Sequence, residues 1–397
     1  MKVNNIKYST SFLNTIDRLL ESSYSDINSR NDFLQVFYLL DRLMMFDKNK
    51  EYAQFDIASM RDLFKRKKGK RILSDLLFIL KDKNIIDMTD FYFNLKDKSK
   101  SRTRKYKYTE YFLDQIIEDE ISFKTENISR DFYERLQKEH ITLKPHLLEQ
   151  YNLLKSDRFK IDIIEASQWL LDNLKNKLIT KNQYHIHQRV ILSLDDKTGL
   201  FVVEDEKTGR VFTNFSCMKK ELRKFCTIDN EHLNSYDLKS AQPYLLISEL
   251  IKQYNYQDLH ELYNIITNKD LYLYFISKSD KRLSRDESKI EFMRYLYKDN
   301  RGSVPFEIII KKEFPNVYMI IRDFKNKLKK SNSNLALYLQ RKESDIFVMS
   351  MCNNISKGVL TVHDSVYFKN SLEQEIKNNL KQNLNNNQYF NFTLAFS

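Results

Sequence analysis

The sequence predicts a helix-rich α+β protein with more than one domain. Three observations carry this. The 397-residue chain holds only five glycines and four prolines, so most of it runs in regular structure. Apolar residues recur at helical spacing through long charged stretches. From Val190 the texture changes to short alternating segments with turn signals, which read as strands. The length allows two or three domains and a sizeable core.

Composition narrows the partners. Lys and Arg number 66 against 54 Asp and Glu, a net charge of +12, which favours an anionic partner such as nucleic acid. A Lys-rich coding bias, matched by abundant Asn, Ile and Tyr, explains the same numbers without a partner. Cys217, Cys226 and Cys352 lie far apart with no CxxC, so neither a zinc site nor a disulfide framework is indicated. The start, MKVNNIKYST, has no apolar signal core, and no run of about 18 apolar residues occurs. A cytoplasmic protein without membrane partners is expected.

Residues 1–115 read as three helices (32–46, 56–64 and 70–82) followed by strand-like pieces at 85–94 and 105–111. The connecting stretch, KDKSKSRTRK, is basic. That order resembles a winged helix whose wing carries Lys98, Lys100, Arg102, Arg104 and Lys105 to a phosphate backbone. A charged loop that serves only protein contact is the alternative. Residues 116–188 read as a charged helical connector, with helices at 128–139, 144–155 and 161–178. His185 and His187 alternate on an expected strand, but a metal site would need further ligands and none lies near.

Residues 189–397 carry the chemistry. Strands are expected within 190–212, then a basic helix at 217–226, a strand at 233–237 and a helix beginning at Pro243. Helices at 258–276, 281–297, 317–330, 335–353 and 372–384 follow, with GVLTVHDSVYF at 358–368 as a hairpin and a last strand at 389–396. Asp237 ends a strand, and Asp364 sits at the hairpin tip. Singly, each is a turn or capping acid. On neighbouring strands, the two carboxylates converge and can hold two Mg²⁺ ions, because magnesium binds one or two carboxylates and keeps the rest of its shell for water and phosphate. Arg285, Lys289 and Tyr297 fall at 0°, about 40° and about 120° around one helix, roughly one face. Two cations and a phenol there suit a nucleoside triphosphate, although an ordinary surface helix carries such residues too.

The order of these elements resembles the polymerase half of A-family DNA polymerases, the DNA polymerase I type, with kinship to single-subunit phage-type RNA polymerases. Thr208-Gly209-Arg210, a basic helix with Arg223, and Asp237 resemble the TGR element and motif A. Arg285, Lys289 and Tyr297 keep the spacing of motif B. Gln340 and Asp345 keep that of the QGxxAD helix, and Val362-His363-Asp364-Ser365 resembles motif C. The resemblance covers about 190–397. It implies a right-hand fold: an antiparallel palm sheet, helical fingers at about 250–330 and a reduced thumb, behind the winged-helix-like domain. It also implies Asp237 and Asp364 as catalytic metal ligands. Arg285, Lys289, Tyr297, Gln242 and Met293 would face the nucleotide; Arg210, Arg223, Gln340 and His363 would face the primer–template. Two Mg²⁺ ions, with Mn²⁺ as a substitute, are the implied cofactors.

Departures are informative. Lys298 stands where the family has Gly, Arg341 replaces the Gly of QG, and Met293 replaces a large aromatic. Gln242 stands at the Glu that excludes a ribose 2′-hydroxyl; Gln is still bulky, which favours deoxynucleotides. No acidic cluster or spare domain for a 3′–5′ exonuclease is evident. The expectation is a proofreading-free DNA polymerase of a mobile element, with DNA primer–template and nucleoside triphosphates as partners, and a small accessory protein and a helicase besides. The alternatives are a primase or RNA polymerase on the same palm, and a catalytically inactive DNA-binding replication initiator.

Overall fold

The computed structural model describes residues 4–23, 27–47, 49–55, 57, 60–64, 72–89, 103–117, 121–129, 132, 144–279, 282–300, 304–331, 333–389 and 392–396. It is a helix-rich α+β fold with antiparallel sheets, as the sequence predicts. The chain forms two units: Met1–Val202 with Phe212–His232, and Val203–Val211 with Leu233–Ser397.

The first unit contains β1 (Asn4–Ser9), α1 (Thr10–Leu20), α2 (Ile27–Phe46), β2 (Ala53–Gln54), α3 (Ile72–Asp82), β3 (Ile86–Met88) and β4 (Lys105–Tyr108). Next come α4 (Glu110–Ile116), β5 (Phe123–Ile128), α5 (Pro145–Lys155), β6 (Phe159–Ile161), α6 (Ile163–Lys175) and α7 (Lys181–Asp195). β1 pairs with β5, and β2, β4 and β3 form a small sheet in that order. Between 56 and 64 the described structure is a single 3-10 turn, Arg61–Phe64, in place of the expected helix. Of the expected wing cations, Lys98, Lys100 and Arg102 lie outside the described residues; Arg104 and Lys105 are exposed at the start of β4. The helix expected at 128–139 also lies largely outside them.

Helix α7 corrects the expected strand around His185 and His187 and, because it runs on to Asp195, the strand expected from Val190. Thr180 and Gln183 cap it reciprocally, and its residues from His185 to Leu194 are all buried. A helix buried all round loses its apolar stripe, which is why its sequence reads as a strand. It packs against α2, α4 and α6. At its centre Arg189 lies 3.2 Å from the buried Asp41, which also accepts from the Tyr108 hydroxyl at 2.6 Å.

β7 (Val202–Glu204) and β8 (Val211–Thr213) form a ribbon closed by a turn over 205–210. The basic stretch that follows is a 3-10 helix, Lys220–Phe225. β9 (Cys226–Ile228) then turns through Asp229 and Asn230, both at positive φ, into β10 (Glu231–Leu238).

The second unit is built on β10. The remaining strands are β11 (Val359–Val362), β12 (Ser365–Lys369) and β13 (Leu394–Phe396). β12 and β13 both pair antiparallel with β10, and β11 lies beyond β12. The helices are α8 (Ala241–Ile251), α9 (Tyr256–Asn268), α10 (Leu271–Ser277), α11 (Arg285–Tyr297), α12 (Pro305–Glu313), α13 (Pro315–Lys330), α14 (Leu335–Phe347) and α15 (Glu373–Asn386). α8 begins two residues before Pro243, the expected first residue. The core gathers Tyr236, Leu245, Phe275, Phe292, Phe347 and Phe368. No helix among the described residues is long and apolar enough to cross a membrane.

Candidate active site

The site starts at the β11–β12 hairpin. His363 and Asp364 are its two-residue tip, and His363 takes φ +52°, as a two-residue hairpin turn demands of its first residue. Ser365 lies opposite Asp237 of β10. Asp237 and Asp364 therefore reach the same end of the sheet from neighbouring strands. Tyr236 and Leu238 enter the hydrophobic core, and strand alternation turns Asp237 to the other face. The chain then passes through Ser240, also left-handed at φ +51°, into α8, which carries Gln242 in its first turn.

Helix α14 brings a residue that the motifs do not mark. Glu343 is 1% exposed. Arg210 donates to its Oε1 from Nε at 3.1 Å and from Nη2 at 2.7 Å, and Gln242 donates from Nε2 to its Oε2. Burial, opposed by Arg210 and reinforced by the nearby charge of Asp364, pushes the Glu343 carboxyl up to about 7. The 205–210 turn explains how Arg210 arrives there. Gly209 at φ +70° packs so close to α14 that a Cβ would lie 3.1 Å from Arg341 Nη1 and 3.3 Å from Ser344 Cβ.

Two tyrosines complete the enclosure. Burial, with Glu343 and Asp364 adding to it against Arg210, raises the Tyr297 phenol far above its ordinary value, so it remains a hydrogen-bond donor. Burial likewise raises Tyr272, whose hydroxyl is hydrogen-bonded to Ser240 and lies within the field of Asp364. Arg285 opens α11, bonds Asp270 at 2.8 Å and stands over the Tyr272 ring at 5.3 Å. Burial works against ionisation of Asp270, but that bond and charge hold its carboxyl below its ordinary range.

The structure thus gathers Arg210, Asp237, Gln242, Arg285, Tyr297 and Asp364 into one neighbourhood of the second unit. Lys289 lies exposed on the same helix as Arg285, and Met293, Gln340 and His363 are half-buried. Lys298 needs no glycine in its place: its φ is −64°, and Lys325 donates to the carbonyls of Tyr295 and Lys298 at the end of α11. Arg223 belongs to the first unit, where it is buried and donates to the carbonyls of Ser216 and Met218. The sequence motifs mark none of Glu343, Tyr272 and Ser240. Glu343 had a signal: on α14 it falls in line with Leu335, Leu339 and Phe347, and an acid on an apolar face requires a partner.

Among the described residues, no three His, Cys, Asp or Glu side chains form a metal-binding group. Two hard carboxylate oxygen donors are the set that magnesium or manganese uses when substrate and water supply the rest.

No family model matches the sequence. No curated protein matches it. Among solved structures, the chain is similar to the POL domain of Pol1 from M. smegmatis, solved in complex with DNA primer-template and dNTP. Identity is 12% and the TM-score 0.35, over 58% of this chain and 55% of that one.

Proposed function

We propose that the chain is a template-directed nucleotidyltransferase, a DNA polymerase of the A-family kind without a proofreading exonuclease, that serves replication of a mobile element in the cytoplasm. The observation that supports this most is the register of β10 and β12, which brings Asp237 and Asp364 to one end of the sheet beside Arg210, Gln242 and Tyr297. Asp237 and Asp364 would hold two divalent ions, which when bound polarise phosphoryl oxygens and favour the ionised hydroxyl. Arg285 and Lys289 meet the triphosphate as cations, and Asp270 fixes the direction of the Arg285 guanidinium. Tyr297 offers a protonated phenol to the sugar side. Gln340 and His363 border the primer end. In the reaction the primer 3′-oxygen bonds to the α-phosphorus, the α–β bridging bond breaks and pyrophosphate leaves. The basic segment 96–105 would add salt-sensitive contacts to the DNA backbone.

The test is a set of four primed DNA templates that differ in the first templating base, each offered all four dNTPs with Mg²⁺. Addition of the complementary nucleotide in each case is expected. Addition that ignores the template, or none at all, removes the reading. A second reading, a primase or RNA polymerase on the same frame, is favoured by the neutral Gln242 beside Glu343; product from an unprimed strand supports it.

A further inference from the structure

The first unit buries a cation without a counter-ion. Lys50 follows α2 at φ +59° and is 9% exposed. Its carbonyl accepts from the Asn182 amide at the start of α7, and its ammonium donates to the Met45 carbonyl. Among the described residues the ammonium has no further acceptor and makes no ion pair. Asp47, whose charge reaches it, accepts instead from the amides of Asn49 and Glu51. Burial works against the charge of Lys50 and lowers its pKa from the ordinary value. A buried ammonium with donors to spare is unfavourable until an anion reaches it. The groups around Lys50 are donors as well. Helix α7 carries His187, 4% exposed, whose Nδ1 is buried with no hydrogen-bond partner among the described residues. The short helix Asn214–Cys217 packs against α2 and α7 and leads to Lys219, which is half-buried and makes no ion pair among the described residues. Burial and the charges of Lys50 and Lys219 push His187 down to about 3, so its ring is neutral and can carry its one proton on Nδ1. Cys217 lies in the fields of Lys50 and Arg223, but burial keeps it a thiol. Cations on this scale disfavour a metal ion on His187 and Cys217 and favour an anion.

We propose that Lys50, His187 and Lys219 form a binding site for a phosphate dianion within the first unit. Two ammoniums and an imidazole N–H come from three separate segments, which suits the tetrahedral oxygens of a phosphate better than a planar carboxylate. A phosphodiester carries one charge and two ester substituents, so it fits a site this buried less well than a terminal or free phosphate. The half-buried Cys217 and Lys219 mark the side from which the anion enters. Inorganic phosphate and the terminal phosphate of a nucleic-acid strand present the same chemistry. The site uses none of the residues of the nucleotidyltransferase reading and does not depend on it.

Equilibrium dialysis of the full chain against radiolabelled orthophosphate tests this, at about pH 7.5 and fixed ionic strength so that charge screening stays constant. The wild type should retain phosphate. Lys50→Met, His187→Phe and Lys219→Gln should each need at least about tenfold more phosphate for the same retention, the worth of one hydrogen bond to a charged group. Lys219→Gln alters a half-buried side chain and serves if the two buried variants do not fold. No retention by the wild type, or variants within about twofold of it, would overturn the proposal. A 5′-phosphorylated oligonucleotide and its 5′-hydroxyl counterpart are then added as competitors. Displacement of orthophosphate by the phosphorylated strand alone supports the site and assigns it to a strand end. Displacement by neither supports it with free phosphate as the ligand. Equal displacement by both means that backbone diesters enter, and overturns the assignment to a dianion.

Discussion

Removing Arg210 isolates the electrostatics of the candidate site. In Arg210→Met, Glu343 keeps its burial and its neighbour Asp364 but loses the cation that opposes both. Burial pushes its carboxyl up to about 7 against an ordinary 4.5, a gap of about 3.5 kcal/mol at ~1.4 kcal/mol per pH unit. The folded state therefore holds this proton more tightly than the unfolded chain. Its contribution to stability is complete below about pH 4.5 and declines as pH rises through about 7. Without Arg210 the upper limit moves higher. At pH 8 the variant must either protonate Glu343 or bury its charge with only the Gln242 amide as donor, and should lose ~3 kcal/mol. At pH 5 the acid is protonated in both proteins, and the loss should shrink to ~1.5 kcal/mol, that of a hydrogen bond from a charged donor to a neutral acceptor. Urea unfolding of both proteins at the two pH values, in EDTA to exclude added cations, measures this. An equal loss at both pH values would refute the reasoning.

Three further outcomes follow from other contacts. Gly209→Ala adds a Cβ at φ +70°, 3.1 Å from Arg341 Nη1, and should lose ~1–2 kcal/mol in thermal unfolding while slowing any nucleotide addition through Arg210; an unchanged melting temperature contradicts the packing. Lys325→Met leaves the Tyr295 and Lys298 carbonyls without their donor and should speed amide hydrogen exchange at the end of α11 about tenfold, against no change if the contact is idle. Asp41→Asn leaves Arg189 buried beside His185 and should cost ~3 kcal/mol in chemical denaturation of the first unit, where a loss under ~1 kcal/mol would show that the pair contributes little.

The sequence made the local chemistry of the second unit legible because its elements have clear punctuation. Asp237 and Asp364 stand at a strand end and a hairpin tip, and the pattern of β-branched residues around HDS is enough to draw both strands. The helices carrying Arg285, Tyr297 and Gln340 show apolar spacing and begin near where the periodicity starts, with Ser284 and Asn334 as their caps. Helix α7 was hidden because periodicity reports an exposed face and α7 has almost none. Arg223 reads as a surface cation by charge alone; its guanidinium instead satisfies backbone carbonyls, which no spacing rule reveals. Glu343 matches none of the motif positions on α14, and only its helical phase with Leu339 places it inside.

The central claim is that Asp237 and Asp364 act together on nucleotides. Its most direct test is single-nucleotide extension of a primed template with Mg²⁺ by the wild type, Asp237→Ala and Asp364→Ala, with folding checked by circular dichroism. The account predicts that each variant folds and that each loses at least ~10²–10³-fold in rate, the worth of several kcal/mol of metal-borne charge stabilisation. Full activity in either folded variant would contradict it.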